Sequence, residues 1–224
     1  MLDFIILVQA RMSSSRFPGK VLAPLRGRPL IAHVIERASM VAGLSGVILV
    51  TSLEASDDPL VAYAEACLGV RVFRGDLTNV VRRFQDCLAT VPCTWFVRIC
   101  GDSPVIDHEL VSAMLEQVTP EVDLVTNVRE RTFPSGQSVE IIRTAPFRQL
   151  VAAELTADEQ EHVTLHYYRC PAAYRIRNIR SSAPGRANRP LVVDSMDDLK
   201  ALEVLLADSP GLATGFGRAV DAGN

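Results

Sequence analysis

The first half of the chain alternates short β-branched apolar segments with segments whose apolar residues recur every three to four positions. A strand followed by an amphipathic helix, repeated along a chain, is typical of a parallel sheet with helices on both faces. The strands predicted in this half are 4–8, 47–51, 70–73 and 95–99. The sequence therefore predicts an α/β protein with a single doubly wound, mostly parallel, Rossmann-like sheet.

The second half predicts a less regular continuation of the same domain. Its predicted strands are 123–127, 138–142, 174–176 and 191–193, and its predicted helices are 146–154, one that opens at 159, and 196–207. We expect one domain over 1–207, with a small arm or hairpin over about 123–142. Residues 208–224, which carry four glycines and little periodicity, are predicted to be a loosely held tail.

A cluster of cations on a glycine-containing loop follows the first predicted strand. Arg11, Arg16 and Lys20 lie in this loop with three serines, and Gly19 directly precedes the lysine. The loop leaves the carboxyl end of a central strand, where open α/β sheets bind ligands. These side chains suit a polyphosphate, because an arginine guanidinium can donate two parallel hydrogen bonds to a phosphate and a lysine ammonium adds a compact positive charge. A solvated, mobile surface loop is the alternative, and the spacing does not match a Walker A motif, since Val21 follows the lysine.

Composition excludes several classes of protein. The net charge is −3, so the chain lacks the excess of basic residues that is typical of nucleic-acid-binding proteins. No apolar run approaches the roughly 20 residues that span a bilayer, and the N-terminus does not resemble a signal peptide. Five scattered cysteines form no C-x-x-C pair, which argues against a disulfide framework and a structural zinc. We expect a cytoplasmic protein.

Two carboxylates follow predicted strands and are expected at the same edge of the sheet as the cationic loop. Asp102 comes after the strand 95–99, and Asp194 comes directly after the segment 191–193. Carboxylates that face a polyphosphate repel it unless a divalent cation lies between them, and Mg²⁺ commonly bridges one or two carboxylates and substrate phosphates. An Asx turn before Pro104 is the alternative for Asp102. The pair predicts a site for Mg²⁺ and a triphosphate.

His162 precedes Val163 and Thr164, beside an acidic helix-forming segment. It is interpreted as a substrate contact, as an anion-binding residue at a helix start, or as a structural helix cap. His162 and His166 stand four residues apart, but no acid lies between them, which disfavours a zinc site of the H-E-x-x-H kind.

Four segments together resemble a known family. They are 8–22, 98–107, 161–164 and 193–199, and the resemblance covers residues 3–206. The segments resemble those of the cytidylyltransferases that activate acidic sugars, such as CMP-Kdo synthetase and acylneuraminate cytidylyltransferase. The spore-coat polysaccharide branch of that family is the most similar. The resemblance implies a nucleotide-diphospho-sugar transferase type of fold and a nucleotidyltransferase domain over 1–207.

The resemblance also implies roles for individual residues. Arg11 and Lys20 would be catalytic, and Asp102 and Asp194 would bind Mg²⁺. The implied nucleotide-binding residues are Gln9, Ala10, Arg11, Ser13, Arg16, Gly19, Lys20, Gly75, Asp76, Asn79 and Asp102. The implied substrate residues are Arg98, Gln137, Glu140 and His162. Gln137 and Ser138 depart from the hydrophobic residue and acid expected there, and Ser195 stands where a threonine is expected.

The implied reaction is transfer of CMP from CTP to an acidic sugar, of the nonulosonic or octulosonic type, with release of pyrophosphate for surface polysaccharide synthesis. A nucleotidyltransferase with another nucleoside triphosphate or acceptor is one alternative, and a catalytically idle nucleotide-binding subunit is another. The family's dimers imply a homodimer. The arm over 123–142 is interpreted as a dimer clasp, as a lid over the sugar, or as a mobile surface hairpin.

Overall fold

Seven strands form the central sheet of the computed structural model, which describes residues 3–182, 191–208 and 220–221. The strands are β1 (Phe4–Gln9), β2 (Pro24–Leu25), β3 (Arg28–Pro29), β4 (Val47–Ser52), β5 (Arg71–Gly75), β6 (Trp95–Cys100), β7 (Leu124–Thr126), β8 (Glu140–Arg143), β9 (Ile176–Asn178), β10 (Arg180–Ser181) and β11 (Val220–Asp221). The helices are α1 (Leu30–Ser39), α2 (Asp58–Leu68), α3 (Val80–Ala89), α4 (His108–Leu115), α5 (Thr144–Arg148), α6 (Ala157–Glu161), α7 (Leu165–Arg169) and α8 (Met196–Asp208).

The strand order of the sheet is β5-β4-β1-β6-β8-β7-β9. Strands β5, β4, β1 and β6 run parallel to one another, and β7 is parallel to β9. Strand β8 runs antiparallel to both β6 and β7. The predicted α/β fold with a mostly parallel sheet is confirmed.

Each face of the sheet has its own hydrophobic core. Phe4, Ile6 and Val8 of β1 pack in one cluster, together with apolar residues of α1 and α4, whereas Ile5 and Leu7 pack in the other with α3. Side chains alternate between the faces of a strand, so a continuous apolar run is what a strand covered by helices on both sides requires. The central strands are thereby held rigidly, and their carboxyl ends form one edge of the sheet.

Three predicted elements differ from the structure. Residues 191–193 do not form a strand, although the backbone N–H groups of Leu191 and Val193 donate to the carbonyls of Ser135 and Asp102. The helix predicted over 146–154 is α5 followed by a short 3₁₀ helix at Ala152–Glu154. The helix expected to open at 159 is α6, which begins earlier and ends just before His162.

The strands of the predicted arm are β7 and β8, and they lie within the central sheet, where every residue of β7 is buried. The interpretation of these strands as a mobile surface hairpin is therefore wrong. The connection between them carries the exposed Arg129–Arg131, but Phe133 within it is buried. Of the predicted tail, residues 209–219 and 222–224 lie outside the described residues, and β11 pairs antiparallel with β10.

Among the described residues, no helix is both long enough and apolar enough to cross a membrane. The five cysteines are all free.

Candidate functional site

The cationic loop leaves β1 at Gln9 and is closed by hydrogen bonds of its own backbone. The N–H of Gly19 donates to the carbonyl of Met12 at 2.8 Å, and Gly19 has a φ of 75°, in the left-handed region that glycine adopts without strain. Lys20 follows at the start of a 3₁₀ helix and is buried. The loop therefore places a buried ammonium directly at the sheet edge.

Lys20 lies between Asp102 and Asp194, the two carboxylates that are predicted to bind Mg²⁺. Its Nζ donates to Oδ2 of Asp102 at 2.8 Å and to Oδ1 of Asp194 at 2.8 Å. Burial alone lowers the pKa of Lys20, but the two carboxylates raise the pKa above its ordinary value. Arg16, which is largely exposed, pairs with the other oxygen of Asp194 at 2.9 Å. The predicted juxtaposition of cationic loop and acids is thus present, with two carboxylates converging on one cation.

Asp194 reaches this position by a different route from the predicted strand. The N–H of Val193 donates to the carbonyl of Asp102 at 2.9 Å, which ties the two acids together through the backbone. Asp198 then accepts from the N–H groups of Asp194 and Ser195 and from the Ser195 hydroxyl. Ser195 therefore acts as the cap of α8, a role that the serine hydroxyl fills as well as the threonine of the resembling pattern.

A close backbone approach brings β6 against the cationic loop. A Cβ atom on Gly101 would lie 2.7 Å from Cβ of Ala10 and 3.2 Å from the carbonyl of Gln9. Glycine is therefore required at the position that directly precedes Asp102. This contact fixes the distance between the loop and the first acid.

Asp57 holds the cationic loop by a hydrogen bond to its backbone. Its side chain is wholly buried and accepts from the N–H of Met12 at 2.8 Å and from the hydroxyl of Thr51 at 2.7 Å. Burial alone raises the pKa of Asp57, but the hydrogen bonds that the carboxylate accepts outweigh it and hold the pKa below its ordinary value. This role of Asp57 was not predicted from the sequence, because an anchor forty-five residues away from the loop leaves no local pattern.

The predicted nucleotide-facing loop 75–79 is held mainly by bonds within itself. Asp76 accepts from the N–H groups of Thr78 and Asn79, and Asn79 caps α3 by accepting from the N–H of Arg82. The side chain that this region contributes to the cleft is instead Arg83, which is 1% exposed and was not singled out from the sequence.

The main cleft, of about 350 Å³, brings most of the predicted residues together. Its lining includes Gln9, Ala10, Arg11, Arg16, Lys20, Arg98, Asp102, His162 and Asp194. Ser13, Gly19, Gly75, Asp76 and Asn79 do not line it. Arg11 also pairs with Glu161 at 3.2 Å, across the end of α6. The cleft is thus built from the cationic loop, the end of β6, the start of α3 and the end of α6.

A side cavity of about 280 Å³ adjoins the main cleft and shares Arg98, Cys100 and His162 with it. Its wall is built on Glu140, which accepts from Arg98, from the hydroxyl of Tyr168 at 2.7 Å and from the hydroxyl of Thr164. Burial alone raises the pKa of Glu140, but its partners, Arg98 above all, hold the pKa below its ordinary value. The carboxylate is therefore ionised and internally satisfied.

His162 lies at the junction of the two cavities, after the last residue of α6. Its N–H donates to the carbonyl of Asp158, as at the end of a helix. The interpretation as an anion-binding residue at a helix start is therefore wrong, whereas a substrate contact at the junction remains a prediction.

Gln137 does not line either cavity. Its side chain is wholly buried, its Oε1 accepts from the N–H of Asp107 at 2.8 Å, and its Nε2 donates to the carbonyl of Val105 at 2.7 Å. The prediction of a substrate contact is wrong, because both ends of the amide are used to join two loops. The neighbouring Ser138 lines the side cavity instead.

Comparisons with known proteins show which sequences and which fold this chain resembles. Residues 5–199 match the family described as Cytidylyltransferase. The chain is 31% identical over 213 residues to the spore coat polysaccharide biosynthesis protein SpsF of Bacillus subtilis, covering 91% of this chain and 86% of that protein. It is 27% identical over 214 residues to a 3-deoxy-manno-octulosonate cytidylyltransferase of Anaeromyxobacter, covering 88% and 83%.

The fold is shared with a solved cytidylyltransferase from Leptospira borgpetersenii. The TM-score is 0.84 at 23% sequence identity, and the alignment covers 95% of this chain and 97% of the other.

Proposed function

Because the chain belongs to the cytidylyltransferase family, we propose that it transfers CMP from CTP to an acidic sugar in surface polysaccharide synthesis. The observation that carries the proposal is the position of Lys20 between Asp102 and Asp194, at the carboxyl edge of β1 and β6. A cation, two acids and two nearby arginines in a single cleft suit a metal-bound triphosphate.

In the proposed reaction, a hydroxyl of the sugar attacks the α-phosphorus of CTP in line. The new bond joins the sugar oxygen to phosphorus, the bond to the β-phosphate oxygen breaks, and pyrophosphate leaves. Lys20, Arg11 and Arg16 stabilise the charge that develops on the phosphate oxygens, and the buried Lys20 needs the least reorganisation of the three during the reaction. The hydroxyl proton is accepted by solvent or by a group of the substrate.

The two acids fit a divalent cation. Oxygen atoms of Asp102 and Asp194 already converge on one positive charge, and hard oxygen ligands are those that Mg²⁺ binds. Asp102 and Asp194 would hold Mg²⁺, which supplies charge neutralisation at the phosphates and at the leaving group.

The side cavity is the proposed acceptor site. The charge of Arg98 is matched there by Glu140, so Arg131 at the exposed end supplies the uncompensated positive charge for a sugar carboxylate. The octulosonate named for one relative supports a sugar of the octulosonic or nonulosonic type. The spore coat polysaccharide named for another supports a role in polysaccharide synthesis.

The test is pyrophosphate release with each of the four nucleoside triphosphates against a panel of acidic sugars in Mg²⁺. We expect release only with CTP and an octulosonic or nonulosonic acid. Asp194→Asn should lose most of this activity, and the exposed surface variant Asp86→Asn should keep it. Equal activity with another triphosphate would replace the proposal by a different nucleotidyltransferase. Tight binding of Mg²⁺ and CTP with no active acceptor would indicate an idle nucleotide-binding subunit.

A homodimer and a cytoplasmic location are parts of the same proposal. The exposed Arg129–Arg131 segment is the proposed contact between subunits. Light scattering of the purified protein tests the dimer, and a fully active monomer at micromolar concentration would contradict it. Cell fractionation tests the location.

A further inference from the structure

One buried N–H donor of the Arg83 side chain has no hydrogen-bond acceptor among the described residues. Its Nε donates to the carbonyl of Asp76 at 2.7 Å, and its Nη2 donates to the carbonyl of Leu77 at 2.9 Å. Its Nη1 is also buried but has no acceptor among the described residues. The two carbonyls fix the plane of the guanidinium, so the direction in which Nη1 points is fixed as well.

An unmatched guanidinium donor in a buried position is unfavourable unless a ligand supplies the acceptor. Burial lowers the pKa of Arg83 to about 10, with Arg11 acting in the same direction, so the group stays charged at neutral pH. A Cβ on Gly75 would lie 2.7 Å from Cγ of Arg83, so the side chain is packed tightly against the loop. The donor is therefore held in place before any ligand binds.

The position of Arg83 in the main cleft indicates which part of a nucleotide it meets. Lys20, Asp102 and Asp194 lie at the ends of β1 and β6, whereas Arg83 packs on the end of β5. The ends of β5 and β6 are separated by three strand spacings, about 14 Å. A triphosphate held by the acids and Lys20 would leave the part of the cleft near β5, which Arg83 lines, to the nucleoside. Val80, which also lines the cleft there, offers an apolar surface to a flat base.

We propose that Arg83 selects the base of the nucleotide, with Nη1 donating to the acceptor edge of cytosine formed by N3 and O2. This inference rests on the proposed function. Cytosine accepts at N3, whereas uracil carries an N–H there that faces the donor unfavourably. Arg83 is thus a specificity-determining residue, in addition to holding the loop carbonyls of Asp76 and Leu77.

The experiment measures the dissociation constants of CTP and UTP in Mg²⁺ by titration calorimetry. It compares the unmodified chain, Arg83→Lys, and the control Arg82→Lys, which changes the exposed neighbour paired with Asp86. Lysine keeps the charge but lacks the fork, so we expect the preference for CTP over UTP to fall about tenfold. Arg82→Lys should keep the full preference.

An unchanged preference in Arg83→Lys, with both affinities weakened equally, would show a purely structural role and overturn the inference alone. A lack of preference for CTP in the unmodified chain would overturn the proposed function and this inference with it. If Arg83→Lys does not fold, as judged by thermal melting, the unmodified chain is titrated with 3-deaza-CTP, which lacks the N3 acceptor. Binding about tenfold weaker than that of CTP supports the inference, and equal binding overturns it.

Discussion

The main cleft and the side cavity hold their charges in opposite ways. In the main cleft, the side chains of Asp102 and Asp194 are 25% and 29% exposed, and Arg16 is 70% exposed. In the side cavity, Glu140 is only 4% exposed and is satisfied by its neighbours. Charges that water still reaches can change partners when a ligand arrives, whereas a closed, buried pair cannot. The main cleft is therefore built to receive charge, and the wall of the side cavity is built to keep its shape.

The comparison predicts the largest effect at Glu140, on stability. Glu140→Gln leaves the half-buried Arg98 without its counter-charge, and we expect a loss of about 3–5 kcal/mol in the free energy of unfolding. Glu36→Gln is the matched control, since it breaks an exposed pair with Arg28 and should cost at most about 1 kcal/mol. Urea denaturation at neutral pH measures both. Equal losses would contradict the closed nature of the side cavity.

The same pair predicts a dependence on pH. The pKa of Glu140 lies below its ordinary 4.5 in the folded protein, so the folded state binds this proton less readily than the unfolded state. The stabilisation is therefore complete above about pH 4.5 and is lost as the pH falls through the lowered pKa. The stability difference between the unmodified protein and Glu140→Gln should shrink in that acidic window. A difference that stays constant from pH 7 to the acid limit would contradict the ionised state of Glu140.

The next effect is expected at Lys20, on turnover. Lys20→Ala removes the cation that faces the phosphates, and we expect turnover to fall about 100- to 1000-fold while the protein stays folded. Lys200→Ala, which removes an exposed lysine of α8, is the control. Steady-state pyrophosphate release gives the rates, and circular dichroism checks the fold. Near-normal turnover in Lys20→Ala would refute its catalytic assignment.

A smaller effect is expected at Asp57, which does not contact the ligand in the proposed site. Asp57→Asn weakens the bond to the N–H of Met12 and should cost about 1–3 kcal/mol of stability. Because the cationic loop is then held less firmly, KM for CTP should rise more than kcat falls. Asp58→Asn changes the exposed neighbouring acid and should alter neither quantity noticeably. A stability loss with unchanged KM would limit Asp57 to a structural role.

The smallest effect is expected at Arg131, at the exposed end of the side cavity. Arg131→Gln removes one solvent-screened charge, so KM for the acidic sugar should rise about fivefold while KM for CTP stays unchanged. Arg28→Gln, an exposed arginine that lines neither cavity, is the control. A rise in KM for CTP alone would indicate that the side cavity binds CTP and not the acidic sugar.

Much of the main cleft follows from local sequence patterns. The apolar run of β1, Gly19 and Lys20 together specify a strand that ends in a cationic loop, and Asp102 follows β6 in the same way. These positions could be predicted because strand and turn preferences act over a few residues.

The side cavity could be predicted less well. Gln137 was misassigned because its partners are backbone groups of a loop thirty residues away. Glu140 was predicted as a substrate residue, but not as a buried carboxylate satisfied by Arg98, Thr164 and Tyr168. The strands of the predicted arm are short and flanked by polar residues, and only pairing with β6 shows them to be central.

By itself, the sequence determined the alternation of strands and helices, the cationic loop and the place of Asp102 after β6, because each depends on short-range periodicity or composition. Only the tertiary structure decided which side chains line the cleft and which have all their hydrogen bonds inside the protein. Asp194 reaches Lys20 through a backbone bond from Val193 to Asp102, and Arg83 enters the cleft because Gly75 leaves room for it. Such contacts depend on how distant segments pack, and packing at these distances leaves no trace in the spacing of residues along the chain.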